Sequence, residues 1–193
     1  MKNAQSYSKV IVSFAGLIIG ALSLQAATPA GWFLAGSKPA SYETGTDAQM
    51  AYNGHSSAYL KSKEPVSDGF GTLMQQFQAA KYAGKRLRLS AFVKADGVRE
   101  WAGLWMRVDQ GAQSVAFDNM EDRPIKGSTA WQKYEVVLDV PPQANRIAFG
   151  VLLGGQGRVW LNSVKLDVVG LDVPTTGKME PPLPDAPLNL SFD

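Results

Sequence analysis

Arg86–Lys94 reads RLRLSAFVK, with Leu87, Leu89, Ala91 and Val93 alternating against Arg88, Ser90, Phe92 and Lys94. A period of two over nine residues is that of a β-strand with one buried face; a helix would return its apolar residues every three or four positions. The same period recurs on both sides. GLWMRVD (103–109) sets Leu104, Met106 and Val108 against Trp105, Arg107 and Asp109. YEVVLDV (134–140) groups Tyr134, Val136, Leu138 and Val140, and RIAFGVLL (146–153) groups Ile147, Phe149, Val151 and Leu153. SAYLKS, FGTLMQQF and SVAFDNM are further strand candidates. In RVWLNSVKLDVV (158–169) the apolar phase slips between Leu161 and Val164, which predicts a bulge at Asn162–Ser163. TDAQMAY and MQQFQAAKYAG are the only helix-like stretches, and both are short. About eight or nine strands at turn-like spacing, with 19 glycines and 11 prolines, predict an all-β antiparallel β-sandwich or jelly roll.

The ends read differently. MKNAQSYSK has two lysines and no acid, VIVSFAGLIIGALSL (10–24) is uncharged and apolar, and QAATPAG follows. Positive start, short apolar run and small-residue exit are the pattern of a secretory signal peptide over residues 1–26, cleaved near Ala26 or Ala27. A spanning helix needs about 20 apolar residues, so a permanent membrane anchor is not expected. Residues 27–170 then form the sandwich domain, and 171–193 a proline-rich segment ending in LNLSFD, a candidate extra strand. The expected location is exported, periplasmic or extracellular.

Composition narrows the function. Without residues 1–26 the 19 basic residues become 17, against 17 acidic ones, so the chain lacks the basic footprint of a nucleic-acid binder. With no cysteine there is no disulfide framework, thiolate metal site or cysteine nucleophile. The single histidine, His55, lies in the turn NGHSS and is a poor start for a Ser-His-acid triad. Asp109, Asp118, Glu121 and Asp122 are nominal glycosidase carboxylates, but their spacing selects no pair. GGQG (154–157) opens no helix, so it is a hairpin turn and no phosphate loop.

TAWQKYEVVLDVPPQANRIAFGVLLGGQGRVWLNSVKLDVV, YAGKRLRLSAFVK and GHSSAYLKS together resemble the galactose-binding-like jelly rolls, a superfamily that includes many carbohydrate-binding modules of secreted bacterial enzymes. The resemblance runs from Trp32 to Val169. GWFLAGS, GFGTLMQ, WAGLWMRVD, AFDNMEDRPIKG and VPTTG also resemble a bacterial set of small sandwich domains without an established role, some standing alone and some fused to regulatory modules. In such relatives an acidic residue after the V-W strand helps hold a structural calcium. Here Asn162 and Ser163 stand there, so Asn162 is a weak calcium candidate and no other cofactor is implied.

If Leu104, Met106 and Val108 face the core, Trp105, Arg107 and Asp109 face outward, as do Arg88, Ser90, Phe92 and Lys94. An aromatic face flanked by hydrogen-bonding groups is a saccharide platform; the same mixture also describes a solvated sheet face held by cross-strand charge pairs. Asp118, Asn119, Asp122 and Arg123 form a polar loop that either contacts ligand or is fixed by Asp118 and Arg123 pairing with each other or with Arg107. Trp131 and Trp160 are assigned to packing; Trp101 follows the polar DGVRE, which places it either exposed at a loop end or, the favoured reading, packed at the core or rim. The leading expectation is a non-catalytic exported domain that binds a saccharide through Trp105, Arg107, Asp109, Asp118, Asn119 and Arg88. The alternative is a structural or protein-interaction domain of the cell envelope, pairing with a protein partner through the C-terminal strand. A glycoside-active enzyme comes third.

Overall fold

The computed structural model describes residues 27–63, 69–177, 186–187 and 189–191. The leader assigned to residues 1–26 lies outside them. Nine strands appear among the described residues: β1 (Phe33–Gly36), β2 (Tyr42–Tyr52), β3 (His55–Ser62), β4 (Phe70–Gln78), β5 (Lys85–Gln110), β6 (Gln113–Asp118), β7 (Ile125–Val140), β8 (Arg146–Gly154) and β9 (Arg158–Val169). No helix among the described residues is long and apolar enough to cross a membrane.

β5 organises the fold. RLRLSAFVK and GLWMRVD, expected as separate strands, are two halves of this one 26-residue strand. Its pairing slips at Ala95, Val98 and Ala102, and Gly97 adopts φ 60°, which a β-carbon would disfavour. Through these bulges the strand bends and serves both layers of the sandwich. Its first half lies between β7 and β9, and β3 and β2 extend that sheet. Its second half lies between β6 and β8, with β4 and β1 beyond. Every one of these pairings is antiparallel. The expected bulge in β9 is present: the register with β5 slips between Ser90 and Phe92, opposite Asn162, and Ser163 takes φ 51°.

Alternation places the core between the two layers. Leu87, Leu89, Ala91, Val93, Val136, Leu138, Val159 and Leu161 meet Leu73, Leu104, Met106, Val108, Ile147, Phe149, Val151 and Leu153, all buried. At roughly 1.5–3 kcal/mol per fully buried large apolar side chain, this single cluster dominates the folding free energy. The two helix-like stretches resolve as β2 and as the end of β4 followed by a 3-10 turn at Ala79–Tyr82.

After β9 the chain crosses the open seam between the layers. Thr176 N–H donates to the Val137 carbonyl at 2.9 Å, while its hydroxyl accepts from Val137 N–H at 2.8 Å. Gly177 fits so closely that a β-carbon there would lie 2.4 Å from Leu138 Cδ2 and 2.7 Å from the Phe117 carbonyl oxygen. Arg86 holds the strap: its guanidinium forks onto Asp139 at 2.7 and 2.9 Å and donates to the carbonyls of Leu171 and Val173. That bond holds the Asp139 carboxyl below the usual carboxylate range. Arg86→Ala is therefore expected to speed limited proteolysis within residues 171–177 several-fold and leave the strands protected, as read by mass spectrometry of the fragments. Of the segment expected to form an extra strand, the described residues 189–191 include a turn at Leu190 and Ser191, with Asn189 at φ 46°, and carry no strand.

Candidate functional site

The row Trp105, Arg107, Asp109 does lie on the face of β5 opposite the core, but it is not an open platform. Trp101 and Trp105 stand directly across from Gly154 and Gly150 of β8, and Gly103 stands across from Leu152. Large residues on one strand thus face small ones on the next, and the indoles settle onto the sheet. Trp105 is 7% exposed, packed with Met74, Ala148 and Leu152, and donates its Nε1–H to Thr72 Oγ1 at 2.7 Å. Trp101 lies over Gly154, where a β-carbon would come 2.9 Å from the indole nitrogen. The expectation that Trp105 stands exposed for stacking is corrected on this ground. Asp109 is likewise enclosed at 2% exposure. Its carboxylate accepts from Arg107 at 2.8 and 3.1 Å and from Arg146 at 2.8 Å, so the two half-exposed guanidinium groups are what meets solvent.

Asp118 ends β6 and is buried. It accepts from Met120 N–H at 2.8 Å, from the Thr176 hydroxyl and from both terminal nitrogens of Arg123. Burial disfavours the Arg123 cation, yet the Asp118 carboxylate outweighs it and raises the arginine above its ordinary value. Asn119 Oδ1 accepts from Glu121 N–H, and Met120, at φ 60°, inserts its side chain into the core. The loop is therefore rigid, pinned by Asp118 beneath and by Met120 at its centre. Of the two pairings that the sequence offered, Asp118 with Arg123 is the one formed; the sequence reading missed Met120, whose signal was a lone apolar residue inside a polar loop.

Next to this loop is a cavity of about 430 Å³, lined by Ser114–Asn119, Glu121, Asp122, Thr176 and Gly177. Phe117, 40% exposed, forms its apolar wall and pairs across the sheet with Arg107. Ser114, Asn119, Glu121 and Asp122 bring hydroxyl, amide and carboxylate groups to the same opening. Asn119 Oδ1 is engaged by Glu121 N–H and Asp122 by Arg123 at 2.8 Å, so an exposed ring stands beside a partly committed polar rim. Of the two rings, Phe117 and not Trp105 is the exposed one.

The remaining named residues lie on the outer face of the other sheet or at its edge. Arg88 is there with Phe92, whose ring stacks on Tyr52 at 4.4 Å, and Tyr52 in turn touches Trp131 at 5.2 Å. Trp160 is buried and donates to Asp47 at 3.0 Å, a bond that holds the Asp47 carboxyl below the usual range. Asn162 donates its amide to the His55 and Ser56 carbonyls and to Ser57 Oγ, pinning the β2–β3 hairpin, while its Oδ1 accepts from Ser163. The oxygen offered to calcium is thus engaged. Among the described residues no group of three or more His, Cys, Asp or Glu side chains could hold a metal ion.

The architecture is a β-sandwich of the kind found in carbohydrate-binding modules. It superposes on the CBM22-1 xylan-binding domain of Paenibacillus barcinonensis Xyn10C with a TM-score of 0.54, at 12% identity, covering 75% of this chain and 90% of that one. The CBM22-1–GH10 modules of Clostridium thermocellum xylanase 10B, complexed with xylohexaose, give 0.53 at 14% identity over 72% of this chain and 26% of that one. A Stig cyclase from Fischerella sp. TAU gives 0.53 at 15% identity, over 75% and 87%. No family model matches the chain. In sequence it is 49% identical over 166 residues to the uncharacterized HTH-type transcriptional regulator YbfP of Bacillus subtilis, covering 84% of this chain. The chain spans 56% of the length of that relative.

Proposed function

We propose that this chain is a non-catalytic carbohydrate-binding domain whose contact site is the cavity at the end of β6. The observation that carries the reading is the exposed Phe117 ring at the mouth of a 430 Å³ opening rimmed by Ser114, Asn119, Glu121 and Asp122. The sandwich shared with a xylan-binding domain and with CBM22-1–GH10 modules complexed with xylohexaose supports the ligand class. Asp118 acts beneath the site as a positioning residue, and Arg107 flanks the ring from the next strand. Calorimetric titration of the full chain with xylohexaose and with cell-wall glycan fragments tests the proposal. Phe117→Ala is expected to weaken a binding saccharide about tenfold, equivalent to about 1.4 kcal/mol, with the unfolding midpoint unchanged. Equal affinity in the variant would remove Phe117 from the site.

The likeness to a protein named as a regulator favours a second reading, in which the same cavity lets a longer protein sense its ligand. For the residue 1–26 leader the proposal is export. Residues 1–30 placed ahead of a reporter that is active only outside the cytoplasm are expected to yield activity, and an inactive reporter would contradict it.

A further inference from the structure

A second cavity, of about 270 Å³, opens on the outer face of the sheet formed by β7, β5 and β9, bordered by Asn53, Arg88, Ser90, Phe92, Lys133, Ser163, Lys165 and Asp167. Its rim is shaped by two left-handed residues: Asn53 at φ 49° in the β2–β3 turn and Ser163 at φ 51° in the β9 bulge. Such a φ is uncommon for serine, and here it accompanies the slip in register against Ser90 and Phe92. Tyr52 stacked on Phe92, and Trp131 against Tyr52, fix the aromatic wall.

The charges are left unusually open. Arg86, Arg107, Arg123 and Arg146 are each hydrogen-bonded to a carboxylate. Arg88 is not: Glu135 and Asp167 stand 3.8 Å from it, beyond hydrogen-bond range, and its buried Nε has no hydrogen-bond partner among the described residues. Lys133 is paired with Glu135 at 2.6 Å. Lys165 is exposed and enters no ion pair among the described residues. Three cations against two carboxylates leave one positive charge uncompensated, with the guanidinium donors of Arg88 uncommitted.

We infer that this cavity binds an acidic saccharide, with the uronic-acid carboxylate on Arg88 and Lys165, the ring against Phe92, and hydroxyls on Ser90 and Asn53. A planar guanidinium with free donors suits a carboxylate, and a fixed aromatic wall suits a pyranose ring. The inference rests on the saccharide reading above but concerns a separate site.

The test is titration of the full chain with tetragalacturonic acid and with its fully methyl-esterified form, which keeps the rings and removes the charge. The acid is expected to bind at least tenfold tighter than the ester. Arg88→Gln should cost it about tenfold and the exposed Lys165→Gln about threefold, while Phe117→Ala should leave it unchanged. Thermal unfolding of each variant checks the fold, and Lys165→Gln keeps the test decisive if Arg88→Gln unfolds. Equal binding of acid and ester, or an acid affinity indifferent to Arg88 and Lys165, overturns the inference. Acid binding lost in Phe117→Ala and retained in Arg88→Gln overturns it and leaves the β6 site standing. So does Phe117-dependent binding of neutral glycans without binding of the acid. No saccharide binding of any kind overturns both.

Discussion

Gly150→Ala is expected to destabilise the protein by about 3 kcal/mol, the upper part of the range for forcing extra atoms into a packed interior. Gly150 lies mid-strand in β8, opposite Met74 of β4 and Trp105 of β5. A β-carbon there would sit 2.2 Å from the Leu73 carbonyl oxygen and 2.9 Å from Met74 Cα. Both are backbone atoms, so no side chain can swing aside; β4 would have to move. That movement would loosen the bed on which Trp105 rests and disturb the Nε1–H bond to Thr72. Urea unfolding followed by tryptophan fluorescence should show a lowered midpoint with a similar slope. An unfolding free energy within about 0.5 kcal/mol of the parent's, the ordinary range for a neutral surface change, would mean that the strands do not approach as described.

Asp118→Ala is the second large effect. Breaking a buried ion pair by removing one partner costs about 3–5 kcal/mol, and the one-third exposure of Arg123 lowers the expectation to about 2 kcal/mol. The loss reaches further than the pair. Met120 N–H and the Thr176 hydroxyl lose their acceptor, so the 119–122 loop and the strap would loosen together. A saccharide held by the β6 cavity should then bind more weakly even though Asp118 need not touch it. Asp118→Asn keeps an acceptor oxygen while losing the charge, and is expected to fall between the two. Hydrogen exchange separates the outcomes: protection should drop at 118–123 and 174–177 and persist in β5. Unchanged exchange at those residues would contradict the role given to Asp118.

The fold was legible wherever one face of a strand meets the core, because burial then imposes a period of two. Leu87 to Val93, Leu104 to Val108 and Ile147 to Leu153 all carry core-facing residues at that period, and these are buried, although Trp105, Ala148 and Leu152 on the other face are buried too. The bulge at Asn162–Ser163 was legible for the same reason, as a slip of phase. Continuity was harder. DGVRE between the halves of β5 reads as a break because Asp96, Gly97, Arg99 and Glu100 face solvent at the bend, yet Val98 among them is buried in the core and the backbone remains paired in part with β7 and β9.

The site was read less well, and Trp105 shows why. Alternation tells which side of a sheet a residue occupies; it does not tell what stands beside it on the next strand. The cover of Trp105 depends on Gly150, 45 positions away, and glycines inside strands mark close approach of neighbouring groups. Phe117 was passed over in the same segment because its exposure follows from an edge position in β6, which is a property of topology. Asp118 and Arg123, five residues apart, were legible because their pairing is local.

The most direct test of the binding claim is a heteronuclear NMR titration of the isotopically labelled full chain with xylohexaose and with cell-wall glycan fragments. A saturable set of amide shifts at 114–122 and 176–177, absent in Phe117→Ala, is the predicted result. No saturable shift with any saccharide, or shifts that avoid those residues, would contradict a carbohydrate site at the end of β6.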